Sequence, residues 1–70
     1  MTLTPAQRTV LARMSDSEWY RGYDMHTSAV VLGALYRKDL IRAADDGRYG
    51  FLADNWTITP DGLAALEVTA

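Results

Sequence analysis

Trp56-Thr57-Ile58-Thr59-Pro60-Asp61-Gly62-Leu63-Ala64-Ala65-Leu66 is the stretch whose reading decides the fold. Apolar and polar side chains alternate through Trp56, Thr57 and Ile58, the period of a strand with one buried face. The alternation then runs into a helix start, with Thr59 as the cap and Pro60 at the first helical position. Leu63 and Leu66 follow as the expected buried stripe of that helix, and Glu67 to Ala70 is expected to fray. A strand passing directly into a capped helix closes a fold, so the partners of both lie upstream. There the apolar run Val30 to Tyr36 reads as a helix that ends in Arg37-Lys38-Asp39-Leu40-Ile41. Leu40 to Ala44 reads as a strand, Asp45-Asp46-Gly47-Arg48 as a turn, and Tyr49 to Leu52 as the strand returning beside Leu40 to Ala44 in a hairpin. Ala53-Asp54-Asn55 is a second turn or a bulge before Trp56 and Ile58 face inward.

Further upstream, Thr4-Pro5-Ala6-Gln7 carries a cap, a proline suited to the first helical position and a glutamine able to reach back to the cap amide. This predicts a helix from Pro5 to near Ser15 with Ala6, Val10, Leu11 and Met14 on its buried face. Trp19 to Tyr23 has the bulky alternation of a short edge strand or extended segment. The helix through Val30 is expected to begin at Ser28 with Thr27 as its cap, or earlier with Asp24. Its inner face is then Ser28, Val31, Leu32 and Leu35, and its outer face Ala29, Val30, Gly33, Ala34 and Arg37. Asp39 stands where the chain must leave the helix, a position that favours glycine but admits aspartate better than most residues.

Seventy residues imply one domain spanning 1–70, and a chain of this size buries only about 60% of the surface its unfolded form exposes. With 49% hydrophobic and 23% charged residues the composition is that of a folded unit. The chain has no cysteine, so no disulfide or thiolate zinc site can staple it, and a reducing cytoplasm is the expected location. No apolar run approaches a membrane span, and Met1-Thr2-Leu3-Thr4-Pro5 has no basic and apolar signal-peptide regions. The net charge of -2 opposes tight nucleic-acid binding, which draws on a basic balance, unless the seven basic residues are placed well.

The order of helix, strand, turn, strand and helix, with Ala34-Leu35 shortly before Leu40-Ile41 and Thr59-x-x-Gly62 after the last strand, resembles the winged helix-turn-helix superfamily of small prokaryotic DNA-binding proteins. The resemblance covers roughly residues 3–67 and rests on common residue types, so it is a likeness of fold. It implies an α+β winged helix of three short helices with a β-hairpin wing in the C-terminal half. The chain departs from the pattern between Met14 and Ser28, where the usual second helix is either shortened to a turn around Asp24 to His26 or replaced by the extended Trp19 to Tyr23 segment. The implied function is binding of double-stranded DNA by a transcriptional regulator or DNA-architecture factor, with the helix after Thr27 in the major groove. Carried onto this sequence, the DNA-binding set is Thr27, Ser28, Arg37, Lys38, Arg42 and Arg48.

The small apolar surface of Ala29, Val30, Gly33 and Ala34 suits helix–helix contact better than thymine methyls. Together with Tyr49 and Phe51 it defines a protein-interface set, and hence a second function: a protein-interaction module or homodimer that does not bind DNA. Asp24, His26 and Ser28 hold an acid, an imidazole and a hydroxyl in order, but capping of a helix start explains them better than a catalytic triad, so no enzyme activity is expected. His26 has no second histidine or cysteine at ligand spacing, and Asp45-Asp46-Gly47 lacks the oxygen series and closing glutamate of a calcium loop, so neither metal nor cofactor is expected.

Overall fold

The fold turns on a three-stranded antiparallel sheet whose middle strand is the last in sequence. In the computed structural model, which describes residues 3–69, the elements run α1 (Pro5–Arg13), β1 (Tyr20–Arg21), a 3-10 turn (Gly22–Met25), α2 (Ala29–Arg37), β2 (Ile41–Ala43), β3 (Asn55–Ile58) and α3 (Pro60–Thr69). The strand order is β1-β3-β2. Tyr20 pairs with Trp56 on one side, and Ala43 with Trp56 and Ile41 with Ile58 on the other. Trp56 and Ile58 therefore point to one face, where they join Leu11, Met14, Leu32, Leu35, Leu40 and Ile41 in the core. This α+β arrangement of three helices and a small antiparallel sheet is compatible with a winged helix. Between α1 and α2 stand a two-residue strand, Tyr20–Arg21, shorter than the extended Trp19 to Tyr23 segment expected, and a single 3-10 turn at Gly22–Met25, two residues ahead of the turn expected around Asp24 to His26.

Both Thr-Pro starts cap as their sequences predict. The Thr4 hydroxyl accepts from the Gln7 N–H at 3.1 Å, and the Gln7 side chain accepts from the Thr4 N–H at 3.0 Å. That reciprocal cap buries Gln7, and the inner face of α1 becomes Gln7, Val10, Leu11 and Met14, with Ala6 exposed, one position away from the expected stripe. At the other end the Thr59 hydroxyl accepts from the Gly62 N–H at 3.1 Å and donates to the Asp39 carbonyl at 2.6 Å. Thr59 N–H also donates to the Leu40 carbonyl at 3.0 Å. One residue thus starts α3 and ties it to the exit of α2.

That exit is a complete Schellman closure built on an aspartate. Asp39 takes the left-handed conformation (φ 58), its N–H donates to the Tyr36 carbonyl at 3.0 Å, and the Leu40 N–H donates to the Leu35 carbonyl at 3.0 Å. Leu35 and Leu40 are both buried, the apolar contact that accompanies this motif.

Three other expectations are corrected. Tyr49 to Leu52 does not return beside Leu40 to Ala44; Asn55–Ile58 does, and residues 44–54 form successive turns with positive φ at Asp46, Gly47 and Gly50. Gly50 at φ 89 breaks the extended run, and the Phe51 side chain is drawn onto the Trp56 ring. The segment instead pairs with the start of the 3-10 turn, through Gly22 N–H to the Asp54 carbonyl at 3.0 Å and Tyr23 N–H to the Leu52 carbonyl at 2.7 Å. Gly22 permits this approach, since a Cβ there would strike the Phe51 carbonyl oxygen and come within 2.7 Å of Leu52 Cα. Second, Ser28 rather than Thr27 caps α2, and the buried positions are Leu32, Gly33 and Leu35, which moves Gly33 off the outer face. Third, α3 stays helical through Glu67 to Thr69, Ala70 lying outside the described residues, and it buries Gly62 with Ala65 and Leu66 packed on the core, while Leu63 is exposed. Among the described residues no helix is long and apolar enough to cross a membrane.

Gly62 is where α3 meets the sheet: a Cβ there would clash with the Leu40 carbonyl oxygen and lie 2.6 Å from Ile58 Cγ1. Gly62→Ala is therefore expected to destabilise the domain by about 1–3 kcal/mol despite the gain in helix propensity, whereas Leu63→Ala should cost well under that. Thermal unfolding of the two variants checks this, and a Gly62→Ala melting temperature at or above the wild type refutes the close packing.

Candidate functional site: the outer faces of α2 and the sheet

The first surface is the outer side of α2 together with the loop 44–54. Ser28 opens the helix, and its hydroxyl accepts from the Val31 N–H at 3.4 Å. Thr27 beside it is half-buried, Ala29 is exposed, and Val30 is 77% exposed. Farther along, two groups meet above Gly33, where a Cβ would make ordinary van der Waals contacts, 3.6 Å from Arg37 Nη1 and 3.8 Å from Phe51 Cζ. The Arg37 side chain is thus turned back along the helix toward its middle, beside the edge of the Phe51 ring. Phe51 in turn stacks on Trp56 (centroids 5.3 Å, 15°) and meets Tyr36 edge-on (6.1 Å, 67°). The loop is not a free hairpin but is fastened flat against α2 by an aromatic trio, a packing worth about 0.5–1.5 kcal/mol per pair beyond burial.

The loop keeps its shape through Asp54. This buried carboxylate accepts from the Tyr49 N–H at 3.2 Å through Oδ1, while Oδ2 has no protein partner. Tyr49 is left 66% exposed at the outer edge, next to the exposed Arg48. Of the protein-interface set, Ala29, Val30 and Tyr49 are on the surface, Ala34 and Phe51 are half-buried, and Gly33 is covered. Of the DNA-binding set, Thr27, Ser28 and Arg37 lie along α2, Lys38 is exposed at its C-terminal end and Arg48 is on the loop. Arg42 does not join them. It alternates with the buried Ile41 and projects from the opposite side of the sheet.

That opposite side is the second surface. Arg42 is paired with Thr57 across β2 and β3, and continuing the β1 register one residue beyond Tyr20 sets Trp19 on the other flank of Thr57. The Arg42 guanidinium lies 5.5 Å from the centroid of the Trp19 ring, so the two side chains close over Thr57 from both sides. Thr57 is consequently only 2% exposed although it faces outward, and its hydroxyl has no hydrogen-bond partner. Magnitudes make this cover easy to open: a cation–π contact at an exposed site is worth about 0.5–1 kcal/mol. A buried polar group left unpaired costs about 1–3 kcal/mol. On the next rung Arg21 is opposite Asn55 and donates to the Tyr23 hydroxyl at 3.1 Å. Neither Arg21 nor Arg42 is met by a carboxylate among the described residues. Sequence reasoning places Trp19 at the start of a short edge strand or extended segment and Arg42 with the α2 cations. The parity of Ile41-Arg42-Ala43 and of Trp19-Tyr20 carries the correction, once Tyr20 is known to face Trp56.

A third feature is an open cleft of about 300 Å³ between the end of α2 and α3, lined by Lys38, Leu40, Asp61, Ala64, Ala65 and Val68. Among the described residues no cluster of histidine and carboxylate side chains is arranged to hold a metal ion. In comparison with known proteins, no family model matches the chain, and no curated protein or solved structure matches it either.

The segment that carries Trp19 is anchored by one ionisable pair. The Tyr20 hydroxyl donates to Asp16 Oδ2 at 2.6 Å and the Glu18 N–H donates to Oδ1 at 3.1 Å. Donation by Tyr20, then by Glu18, holds the Asp16 carboxyl below its ordinary value of 3.8, and the same bond to Asp16 raises Tyr20 above 10.0. For Asp16 the stabilisation is present above the unfolded value and is lost as pH falls through the depressed one; for Tyr20 it is present below 10.0 and is lost as pH rises through the raised one. Tyr20→Phe should therefore bring the Asp16 titration midpoint, followed by NMR, back toward 3.8, and an unchanged midpoint contradicts the bond.

Proposed function

We propose that this chain is a winged-helix DNA-binding domain, a transcriptional regulator or DNA-architecture factor, that presents the outer side of α2 to the major groove. The observation that carries the reading is the Arg37 guanidinium, exposed on α2 at the edge where the loop covers Gly33 and unopposed by a carboxylate among the described residues. A guanidinium there suits the O6 and N7 acceptors of guanine, and the exposed Ala29 and Val30 side chains offer methyl groups toward thymine. Lys38 and Arg48 flank the face at the end of the helix and on the loop, where they would neutralise phosphates. Thr27 and Ser28 stand at the helix start, the part of a recognition helix that enters the groove first. Arg42, on the far side of the sheet, has no place in this contact.

The proposal is tested with a random-sequence duplex in a mobility-shift titration across salt concentrations. Arg37→Ala with Lys38→Ala should weaken binding and reduce the salt slope by about one unit for each phosphate no longer neutralised, without altering the circular dichroism spectrum. If the intact protein retards no duplex at low salt, the DNA reading fails.

A second reading, a protein-interaction module or homodimer on the same fold, is favoured by the 77% exposed Val30 and 66% exposed Tyr49 and by the net charge of -2. With Gly33 covered and Ala34 half-buried, the contact would rest on Ala29 and Val30, whose burial across a two-fold axis removes apolar area from water. Sedimentation across a concentration series decides it. Association that Val30→Glu abolishes supports self-pairing of α2, and a mass of 7.8 kDa at every concentration rules it out.

A further inference from the structure

We propose that the outward face of the sheet is a docking site for a short carboxylate-bearing segment of another protein, received between Arg42 and Thr57. This site is separate from the α2 surface and does not depend on DNA binding. Helices cover the other side of the sheet, where Ile41, Trp56 and Ile58 are buried, and leave this side open. An antiparallel sheet commonly shows such a bare face, but it is ordinarily plain polar surface. Here it carries Trp19, Arg21, Tyr23 and Arg42, the residue types that dominate the energetics of protein contacts.

Two donors converge at its centre without an acceptor. The Thr57 hydroxyl is buried and unpartnered beneath the Arg42 and Trp19 side chains, and the Arg42 guanidinium above it is held only by the ring face. A carboxylate is a planar acceptor that a guanidinium binds through two parallel N–H groups, and its remaining lone pairs can take a hydroxyl proton donor. Swinging Arg42 off Trp19 exposes both donors and frees the indole face for an apolar neighbour of that carboxylate. The cover then becomes one wall of the site.

Size and charge select a short peptide over a nucleic acid. The face spans three strands, of which the longest is Asn55–Ile58, an area of about 10 by 13 Å that accommodates a single extended segment. It supplies two arginines, while Asp16 and Glu18 lie immediately before Trp19 and would repel the next phosphates of a polyanion. A lone carboxylate avoids that penalty, and the Asp16 charge is already engaged by Tyr20.

The probe is the blocked pentapeptide acetyl-Ala-Asp-Phe-Ala-Ser-amide, which carries a single carboxylate, titrated into the 15N-labelled full chain, with its lysine counterpart and a twelve-residue oligothymidylate as the other arms. The acidic peptide should shift the Trp19 indole N–H and the Arg21, Arg42 and Thr57 amides while those of α2 stay in place. Arg42→Gln should weaken its affinity by about tenfold and Thr57→Val by about threefold, as removal of a guanidinium that pairs with the carboxylate through two N–H groups and of a single hydroxyl donor implies. Thr57→Val should at the same time leave thermal stability equal to or above the wild type, because it removes an unpaired buried hydroxyl. The proposal is overturned by any of four results: no shifts on this face, equal shifts with the lysine peptide, shifts with the oligonucleotide but not the peptide, or full affinity in both variants.

Discussion

Everything in this small domain meets at the Trp56 ring. It is fully buried, sits in the central strand in register with Tyr20 on one side and Ala43 on the other, and receives Phe51 face-on and Tyr36 edge-on. Its indole N–H is satisfied by the Phe51 carbonyl at 2.8 Å, so the largest side chain of the core also fixes the backbone of the loop. A chain with few buried residues cannot spread its packing over many independent contacts. Concentrating β1, β2, α2 and the loop on one indole gives them a common fate: none can move away without unstacking the same ring. That explains how strands of two, three and four residues hold together, when isolated pairs of such length would be marginal in water.

The same contact determines which surfaces are left for partners. Pulling Phe51 inward flattens the loop on α2 and turns what would be a projecting hairpin into a rim of the helix face. Gly33 is the other half of that arrangement: the Phe51 ring and the Arg37 guanidinium meet above it, each at ordinary van der Waals distance from where a Cβ would stand. The position is thus a matter of packing and of presentation at once. On the reading of α2 as a recognition helix, the cation is already placed before any ligand arrives, so little side-chain entropy remains to be given up on binding.

Local signals are readable where one residue type performs one task. Thr4, Gln7 and Pro5, and again Thr59 and Pro60, define helix starts through hydrogen bonds made within a single turn, and these stand in the structure as the sequence predicts. Asp39 likewise announces a left-handed exit. Register is harder. Aromatic residues favour strands, which points to Tyr49 to Leu52 as the return strand, yet the choice between that segment and Asn55–Ile58 depends on which aromatic reaches the core first, a tertiary matter. Gly33 and Leu63 fall on the wrong faces for a related reason: on nearly uniform apolar helices, periodicity does not say which face is covered, and the covering group, Phe51 over α2 and Leu40 under α3, comes from far along the chain. For the site, Arg37, Lys38 and Arg48 are legible in the sequence as exposed cations of α2 and the loop, but Arg42 is not separable from them until the parity of β2 is known.

The separation of Arg42 from Arg37 bears on how a chain of net charge -2 would bind the acidic partners proposed for it. Summed over the molecule, the seven basic residues are outweighed, and long-range steering of an anion is weak. What the fold does instead is isolate single guanidinium groups at fixed positions, one over Gly33 against Phe51 and one over Trp19 above Thr57. The second rests on an aromatic face, which holds the charge without neutralising it, and that stacked geometry is one that lysine, a compact hydrated charge, reproduces poorly. Recognition built this way would depend on short-range directional contacts more than on net field, and would therefore tolerate the acidic turns at Asp45, Asp46 and Asp16 that would defeat a purely electrostatic binder.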